Sequence, residues 1–431
     1  MLAPSSSFTL KQSSIIFYSN VVSFFDFLLY LYLAQIISVT FFSANPNSFM
    51  GQLQAMSLFA AGYLARPIGG LLLGRYGDIK GRRKTYLISS TILLVTSIVT
   101  AFLPTYAQVG LLAPALFILA RLIQGMAFGA HSVLGWVFIA EHAPKDRVAF
   151  FTNIASAGHM IGVIVTLFFF KMMFNLYTHD ELVAYAWRIP FVVSAVLGLL
   201  SLMLSFWLQE TPVFLGRKTT QNYLPKYKDI DLSFGRFHAI FISVLLSFYV
   251  ASLVIVVALM LPKLILMKFN VDESLLSFAN IIGTFFLALG TLFFGTVSDK
   301  GNTGKALMLG SIAVSILGTV FYTHLQYGSG DYILPLYALL GFCAGVIGLG
   351  PVIMVQLFPT KARLTSVSVT YNATYAVVGG FLPISLIYFT DIISFSPSLY
   401  ITFTGLIGFT IGLYVYQMPK LKPMTASGYA Y

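Results

Sequence analysis

Apolar residues in this chain come in long, nearly unbroken runs that are separated by short polar gaps. Runs such as TILLVTSIVTAFL (91–103) and VVSAVLGLLSLML (192–204) lack the apolar and polar alternation of a membrane β-strand. A bilayer-spanning helix requires about 20 mostly apolar residues. The pattern therefore predicts an all-α membrane protein with twelve transmembrane helices, at approximately 15–41, 51–74, 85–104, 110–139, 151–174, 187–208, 238–262, 275–297, 306–324, 333–357, 365–388 and 398–417.

The longest polar gap divides the predicted helices into two groups of six. We expect an N-terminal half at 1–209, a cytoplasmic linker at 210–237, and a C-terminal half at 238–431 that ends in a short tail.

Two motifs recur across this divide. GRYGD (74–78) returns as GTVSD (295–299), and PKDR (144–147) returns as PTKAR (359–363). The two copies of each motif are separated by close to half the length of the chain, which indicates a duplicated six-helix unit. Transporters with two such halves bind their substrate between them, near the middle of the membrane.

The composition excludes the common soluble classes. The chain is 58% hydrophobic and only 9% charged, and a soluble domain could not hide that much apolar surface. Its net charge of +11 does not indicate nucleic acid, because the cations lie in short gaps and form no continuous basic face. With a cytoplasmic N-terminus, nineteen Lys and Arg residues fall in cytoplasmic segments and two fall outside. The positive-inside rule therefore predicts a multi-pass protein of the cell (inner or plasma) membrane with both termini in the cytoplasm.

Residues for enzymatic chemistry are not grouped in this sequence. The six histidines are scattered, and the patterns HExxH and GxSxG and paired cysteines are missing. We therefore expect no enzyme, no metal and no organic cofactor, with the proton as the coupling ion. The longest polar gap is also short for a sensor's output domain, so a non-transporting membrane sensor is a remote alternative.

Two motifs resemble those of the major facilitator superfamily. GRYGDIKGRR (74–83) matches the superfamily's GxxxDxxGRR loop, and RLIQG (121–125) matches its RxxQG pattern in the fourth helix. Within the superfamily the chain resembles the metabolite:proton symporters, which include proline/betaine, α-ketoglutarate, citrate and shikimate carriers. This closer resemblance rests on FDF (25–27), ARPIGG (65–70), EHAP (141–144), WRIPF (187–191), ETPVF (210–214) and LFPTKAR (357–363). It implies a two-half, twelve-helix fold and transport by alternating access.

The resemblance also implies a role for the loop at 74–83, which in the superfamily latches the cytoplasmic gate while the carrier faces outward. We expect Asp78 to accept hydrogen bonds from a helix N-terminus or an arginine, and Gly81 to permit a tight turn. The gating residues implied by the motif and its repeat are Gly74, Asp78, Gly81, Arg82, Arg83 and Asp299.

The chain departs from the family pattern at two places. Where the family has an acid ten residues after the arginine of the fourth helix, this sequence has His131. The tail after the last predicted helix, 418–431, is short beside the coiled-coil extension of some osmosensing proline/betaine carriers.

Ionisable residues deep in the predicted spans are few, and they belong to the first half. Such residues usually face a cavity or a partner. A guanidinium suits a carboxylate, so we expect Arg66 and Arg121 to hold an anionic group of the substrate. Alternatively, one or both pair with Asp26 or with helix carbonyls and serve packing.

Further substrate contacts are expected close to these arginines. Gln124 follows Arg121 on a stripe of the fourth helix that continues to His131, and Tyr30 lies one turn from Asp26. The second half offers Tyr371 and Asn372 as polar contacts.

Asp26 and His131 are the candidates for carrying the proton. Asp26 is the only acid deep in a span, and an unperturbed histidine titrates near neutral pH. The alternatives are a fixed salt bridge for Asp26 and a neutral, hydrogen-bonded histidine between helices.

Together these features predict a monomeric, proton-coupled symporter of a small carboxylate-bearing metabolite, which is an organic acid, an amino acid or a betaine. An exporter or an uncoupled facilitator of the same fold is the alternative, because topology sets neither the direction of transport nor its coupling.

Overall fold

The computed structural model describes residues 6–42, 49–221, 233–269, 271–328 and 331–417. Within these ranges the protein is helical and contains no strand. The described part of the N-terminal half consists of α1 (Ser6–Tyr32), α2 (Ala34–Phe42), α3 (Phe49–Lys80), α4 (Arg82–Ala101), α5 (Tyr106–Val109), α6 (Leu112–His142), α7 (Val148–Leu176), α8 (His179–Ala184) and α9 (Ile189–Ser205). A short 3-10 turn (Ala186–Arg188) leads into α9.

The second part of the chain repeats this pattern of long helices. Its described residues form α10 (Pro212–Gln221), α11 (Ser233–Leu253), α12 (Leu261–Lys268), α13 (Glu273–Lys300), α14 (Thr303–Tyr327), α15 (Ile333–Ala344), α16 (Leu349–Leu357), α17 (Arg363–Ile392) and α18 (Ser396–Gln417). A π-helical stretch (Val254–Met260) joins α11 to α12, and a 3-10 turn (Gly345–Gly348) joins α15 to α16.

The helices follow the predicted spans. In the described ranges, eleven helical segments are long and apolar enough to cross a membrane. The remaining predicted span, 51–74, lies within α3, a helix of 32 residues. The largest difference in bounds is at the first span, which was predicted to begin at residue 15. There α1 already begins at Ser6, so the serine-rich stretch before the apolar run is helical too.

Several predicted spans are not single regular helices. The first is divided at Leu33 into α1 and α2, while the seventh and tenth contain the π-helical and 3-10 stretches. Apolar composition does not report these local changes in backbone hydrogen bonding. The start of the predicted linker is also helical, as α10. The end of the predicted linker, 233–237, belongs to α11, so this helix begins before the predicted residue 238. Residues 222–232 of the linker and the tail, 418–431, lie outside the described residues.

Close helix packing repeats in the two halves. Gly62 of α3 lies against the backbone of Gly125 of α6, so that a Cβ atom at Gly125 would overlap Gly62. In the C-terminal half, Gly341 of α15 lies in the same way against Gly283 of α13. Small residues permit such close approach of membrane helices. The offset from Gly62 to Gly283 equals that between the two copies of the loop motif at 74–78 and 295–299, so the duplication includes the packing faces.

The halves meet where α3 packs against α17 and where α7 packs against α13. We call the end of the bundle that carries the connection from α3 to α4, residues 80–82, the basic end. Helix α1 begins there and α6 ends there, since the Thr9 hydroxyl donates to the His142 carbonyl over 3.2 Å. Helix α9 also ends there, since the Gln209 amide donates to the Gln12 side chain over 3.0 Å.

Candidate functional site

Asp26 lies on α1 in the interior of the N-terminal half, and only 3% of it is exposed. The hydroxyls of Ser97 on α4 and Ser194 on α9 both donate to its Oδ1, each over 2.6 Å. The side-chain amide of Gln124 on α6 donates to its Oδ2. Three donors from three helices therefore converge on one buried carboxylate, the arrangement that a charged aspartate needs in a membrane.

Arg121 lies three residues before Gln124 on α6 and is fully buried. Its Nη1 donates to Oε1 of Gln124 over 2.8 Å, and its guanidinium carbon lies 3.9 Å from the ring centre of Tyr30. Gln124 thus joins Arg121 to Asp26. Within the described part of the chain Asp26 forms no direct ion pair, so the fixed salt bridge that was one alternative for it is not observed.

Arg66 lies on α3 at the boundary between the halves and is 2% exposed. Its Nε donates to Oδ1 of Asn372 on α17 over 2.9 Å, a contact that crosses from one half to the other. The Asn372 amide nitrogen in turn donates to the carbonyl of Gly129 on α6 over 2.6 Å. Five rings lie within 4.8 to 5.7 Å of the Arg66 guanidinium carbon, those of Phe27, Tyr63, Phe128, Tyr371 and Tyr375.

The two buried arginines lack an anionic partner at ion-pair distance within the described residues. Among the described residues, Nε of Arg121 is buried without a hydrogen-bond acceptor. A buried cation without a paired anion is costly, and aromatic rings compensate only part of that cost. An anionic group beside Arg66 or Arg121 would offset that cost.

Two predicted substrate contacts, Tyr30 and Tyr371, lie beside the buried arginines. The Tyr30 hydroxyl lies 3.4 Å from the Thr100 hydroxyl, while the Tyr30 ring covers Arg121. Tyr371 packs edge-on against Trp136 at 4.9 Å and faces Arg66. Both are placed to shape the site around the arginines.

His131 is not brought to the boundary between the halves. It shares a stripe of α6 with Arg121, but near the basic end that stripe faces α1 and α4. Nε2 of His131 lies 3.2 Å from the Ser19 hydroxyl, and Nδ1 lies 3.0 Å from the Ser89 hydroxyl. The helix period correctly groups the residues, but it does not identify the neighbours that each level of the helix meets.

Asp78 crosses between the halves at the basic end. Its carboxylate accepts hydrogen bonds from the backbone amides of Leu364 (3.1 Å) and Thr365 (2.9 Å), and from the Thr365 hydroxyl (2.6 Å). These amides are in the first turn of α17, where unpaired N–H groups and the helix dipole favour an anion. Asp78 of the N-terminal half thus caps a helix of the C-terminal half.

A buried charge network lies beside this cap. The Glu141 carboxylate at the end of α6 accepts hydrogen bonds from Nε of Arg82 (3.1 Å) and from Nη1 of Arg363 (2.7 Å). The Thr211 hydroxyl also donates to Glu141 over 2.6 Å, and Nη2 of Arg82 donates to the Thr360 carbonyl over 2.9 Å. We call Asp78, Arg82, Glu141 and Arg363 the latch network, because they join the two halves.

Sequence reasoning missed Glu141 and Arg363 as candidate functional residues. Both belong to motifs that were used only for the family resemblance, EHAP and LFPTKAR. The sequence does show a glutamate near the predicted end of the fourth helix, Glu141, and arginines in the loops at 74–83 and 357–363. Pairing across 222 residues is what the sequence does not reveal.

The other predicted gating residues support the turn between α3 and α4. Gly81 has φ of +117°, a conformation that favours glycine. The Glu210 carboxylate accepts hydrogen bonds from the backbone amides of Arg82 (2.9 Å) and Arg83 (3.2 Å) at the start of α4. The Nη2 atom of Arg83 donates to the Phe206 carbonyl over 2.9 Å. A Cβ atom on Gly74 would lie 3.0 Å from Cα of Thr365, so a larger residue would crowd α17.

Asp299 repeats the helix cap in the opposite direction. Asp299 lies on α13 of the C-terminal half. Its carboxylate accepts hydrogen bonds from the backbone amides of Ala149 (2.9 Å) and Phe150 (2.7 Å) in the first turn of α7. Asp299 has no buried arginine beside it within the described residues. The nearby Arg147 is exposed and lies 3.9 Å from Asp146. The second cap is therefore the simpler of the two.

Comparison with known proteins agrees with this architecture. The model of the Major Facilitator Superfamily matches residues 14–383. A protein of Staphylococcus aureus (strain MSSA476), named as a candidate proline/betaine transporter, is 30% identical over 375 residues, which cover 85% of this chain and 78% of that protein. The inner membrane metabolite transport protein YhjE of Escherichia coli (strain K12) is 27% identical over 369 residues, covering 82% of this chain and 81% of that protein.

A solved structure of the proton:xylose symporter XylE, bound to 6-bromo-6-deoxy-D-glucose, has the same fold. Its TM-score to this chain is 0.78, with 99% of each chain covered and 18% sequence identity. At that identity the likeness shows the fold.

Proposed function

The chain belongs to the major facilitator superfamily, and from that premise we propose that this multi-pass membrane transporter is a proton-coupled symporter of a small carboxylate-bearing metabolite. Its relatives are named as transporters of proline/betaine and of metabolites, and the structurally similar XylE is named as a proton symporter. The remaining support comes from the buried groups of the N-terminal half.

The observation that carries the proposal is the chain of contacts from Asp26 through Gln124 to Arg121. With Asp26 charged, a substrate carboxylate at Arg121 would bring a second anion close to the same cation. Protonation of Asp26 removes that repulsion, so the proton and the substrate favour each other's binding. Such reciprocal coupling is what symport requires.

Arg66 and its rings favour zwitterions among the carboxylate metabolites. The carboxylate of an amino acid or betaine would bind between Arg66 and Arg121. Its ammonium group would lie against the rings that now surround Arg66, because aromatic faces attract cations. Asn372 would supply the contact from the second half, so that substrate binding draws the halves together.

The basic end is the cytoplasmic end in this proposal, since the cations concentrate there, and both termini face the cytoplasm. The caps at Asp78 and Asp299 and the latch network hold the halves together at this end. The structure then corresponds to a carrier closed toward the cytoplasm. Inward opening requires these contacts to break while the halves rock around the site.

The proposal is tested with purified protein in proteoliposomes that carry an imposed pH gradient. Radiolabelled proline, glycine betaine, α-ketoglutarate, citrate and shikimate are offered one at a time, with the acidic side outside. We expect accumulation of a zwitterion, and its loss when an ionophore abolishes the gradient.

Substrate exchange without any gradient provides the control, because it requires the site and the rocking motion but no net proton flux. Exchange that proceeds while uptake ignores the pH gradient would support the facilitator alternative and reject symport. Failure of every compound in both assays would reject the proposed substrate class.

A further inference from the structure

A small cavity lined by serines, Asp26, His131 and apolar residues lies inside the N-terminal half, away from the boundary where Arg66 meets Asn372. It is enclosed by α1, α4, α6 and α9, with Asp26 at one end and His131 at the other. We call it the serine cavity, because Ser19, Ser23 and Ser90 are among the residues that line it. About 20 Å³ is open to the centre of a water molecule, above the ~10–15 Å³ that one water needs.

The serine cavity extends along α1 and α6 toward the basic end. Asp26 lies seven residues after Ser19 on α1, which corresponds to about 10 Å along a helix. On α6, Gln124 contacts Asp26, and His131 follows seven residues later. Two helices thus agree that His131 lies about 10 Å closer to the basic end than Asp26.

One lining residue indicates that the cavity holds water. Ser90 is only 5% exposed, and its buried hydroxyl has no hydrogen-bond partner among the described residues. A stripe of serines alone would be explained by close helix packing. It would not explain an unpaired hydroxyl on a residue that lines a space of the size of a water, and a buried water commonly satisfies such a group.

His131 is positioned to pass a proton on. Its two ring nitrogens face different hydroxyls, Ser19 on α1 and Ser89 on α4. A neutral imidazole has one protonated and one free nitrogen, so it can accept a proton on one side and release one on the other. The other titratable groups that face it are Tyr86 of α4, with ring centres 4.5 Å apart, His159 of α7, and Asp26 across the cavity.

We propose that the proton carried by Asp26 leaves toward the basic end through the serine cavity and His131, along a route separate from the substrate's. This inference rests on the proposed proton-coupled function. An O–H bond at Asp26 breaks as the next O–H bond forms on a serine or water. His131 gains one proton at Nε2 from the side of Ser19 and releases one from Nδ1 to Ser89, and Ser89 passes its own hydroxyl proton on toward water at the basic end. Asp26 remains as a carboxylate. His131 is neutral again but in the other tautomer, so it must return to the first tautomer before it relays the next proton.

A separate route has a functional consequence. Substrate in the space between the halves would not block proton release, because the serine cavity belongs to one half and does not need that space. Exchange of substrate for substrate involves no net proton release, so it does not use this route. The two activities can therefore be separated by mutation.

His131→Asn provides the first test, since it keeps a polar side chain but cannot carry a proton. We expect uptake driven by an acid-outside gradient to fall by about a hundredfold, as for loss of a positioned acid–base group. Exchange of the metabolite that the wild type accumulates should stay near the wild-type rate. A parallel fall in both activities would make His131 a structural residue and overturn the route.

Ser90 supplies a matched pair of variants. Ser90→Val fills the cavity with methyl groups, whereas Ser90→Thr has nearly the same volume but keeps the hydroxyl. We expect gradient-driven uptake to fall in the valine variant and to be largely retained in the threonine variant. Equal uptake by the two variants would overturn the proposed role of the cavity.

Ser156→Val is the site control, because Ser156 on α7 also has a buried, unpaired hydroxyl but does not line the serine cavity. It should leave the ratio of gradient-driven uptake to exchange unchanged. If the wild type itself exchanges substrate but ignores the gradient, the proposed symport fails and the route fails with it. A wild type that couples to protons, with His131→Asn equally coupled, rejects the route alone.

Discussion

The two halves of this transporter share a backbone plan and differ in what their interiors carry. The glycine contact of Gly62 with Gly125 returns as Gly283 with Gly341, about half the chain further on. By the offsets of these glycines, Leu287 takes the place of Arg66 and Tyr337 takes the place of Arg121. Duplication has thus kept the packing but not the charges.

The buried charges of the candidate site lie in the N-terminal half. The N-terminal half holds the buried aspartate and both buried arginines of the candidate site, whereas the second half contributes an amide and aromatic rings. Packing faces must be retained for each half to remain rigid. Burying charge in a membrane costs free energy, so one charged site costs less free energy than two.

Arg121→Ala should produce the largest effect and tests whether the site lies in the N-terminal half. Loss of the guanidinium removes the cation that we propose pairs with the substrate, and we expect substrate binding to weaken by about 2 to 5 kcal/mol. Uptake and binding are measured on protein that reaches the membrane. The matched control is Tyr337→Phe at the equivalent position, where the hydroxyl donates to the Val257 carbonyl over 2.7 Å. An equal loss in both variants would remove the distinction between the halves.

Asn372→Ala tests the contribution of the second half. The variant removes the acceptor of Arg66 and a bond to the Gly129 carbonyl. We expect KM for uptake to rise by about tenfold. That change is within the ~1–3 kcal/mol that a buried donor, here the guanidinium of Arg66, costs when its acceptor is removed. Asn280→Ala, another buried asparagine of the same half, should leave KM nearly unchanged. An unaltered KM in Asn372→Ala would leave substrate recognition to the N-terminal half alone.

Asp78→Asn tests the stronger of the two helix caps at the basic end. The neutral amide weakens the contacts with α17 and with Arg82, so the state closed at the basic end is less favoured. We expect the maximal transport rate to fall by about tenfold, consistent with weakening a hydrogen bond to a charged group worth about 1.5–3 kcal/mol. Equilibrium binding of substrate should persist. Complete loss of binding in properly inserted protein would contradict a gating role.

Asp299→Asn should have the smallest effect and makes the comparison of the caps quantitative. Only two backbone amides of α7 bind this carboxylate, and the buried arginines lie in the other cap. We expect a fall in rate of about threefold, in line with the ~0.3–1 kcal/mol of an anion at a helix N-terminus. A larger effect than that of Asp78→Asn, measured in the same vesicles, would reverse the assigned order.

The sequence allowed the helical spans and the duplication to be predicted, because apolar run length and repeated loops are local features. It also identified Asp26, Arg66 and Arg121 as buried charges, since such residues stand out against an apolar background. Their positions on predicted helices did not reveal that Gln124 lies between an aspartate and an arginine. That contact depends on which faces of α1 and α6 meet.

The unpredicted parts share the same physical origin. Glu141 and Arg363 meet only because two distant helix ends pack together at the basic end. His131 was expected along the stripe that holds Arg121, yet it faces the serine cavity, because α6 has different neighbours at different levels. Helix periodicity fixes the direction of a side chain, and tertiary packing decides its partner.

Asp26→Asn directly tests the proposed coupling of the proton to the substrate by Asp26. The asparagine resembles the protonated aspartate, so the site remains able to bind substrate and rock. We measure gradient-driven uptake and gradient-free exchange in the same proteoliposomes, for the wild type and the variant. The account predicts that the variant exchanges substrate but no longer accumulates it in response to an acid-outside gradient. Accumulation by Asp26→Asn at the wild-type level, dependent on the gradient, would contradict the account.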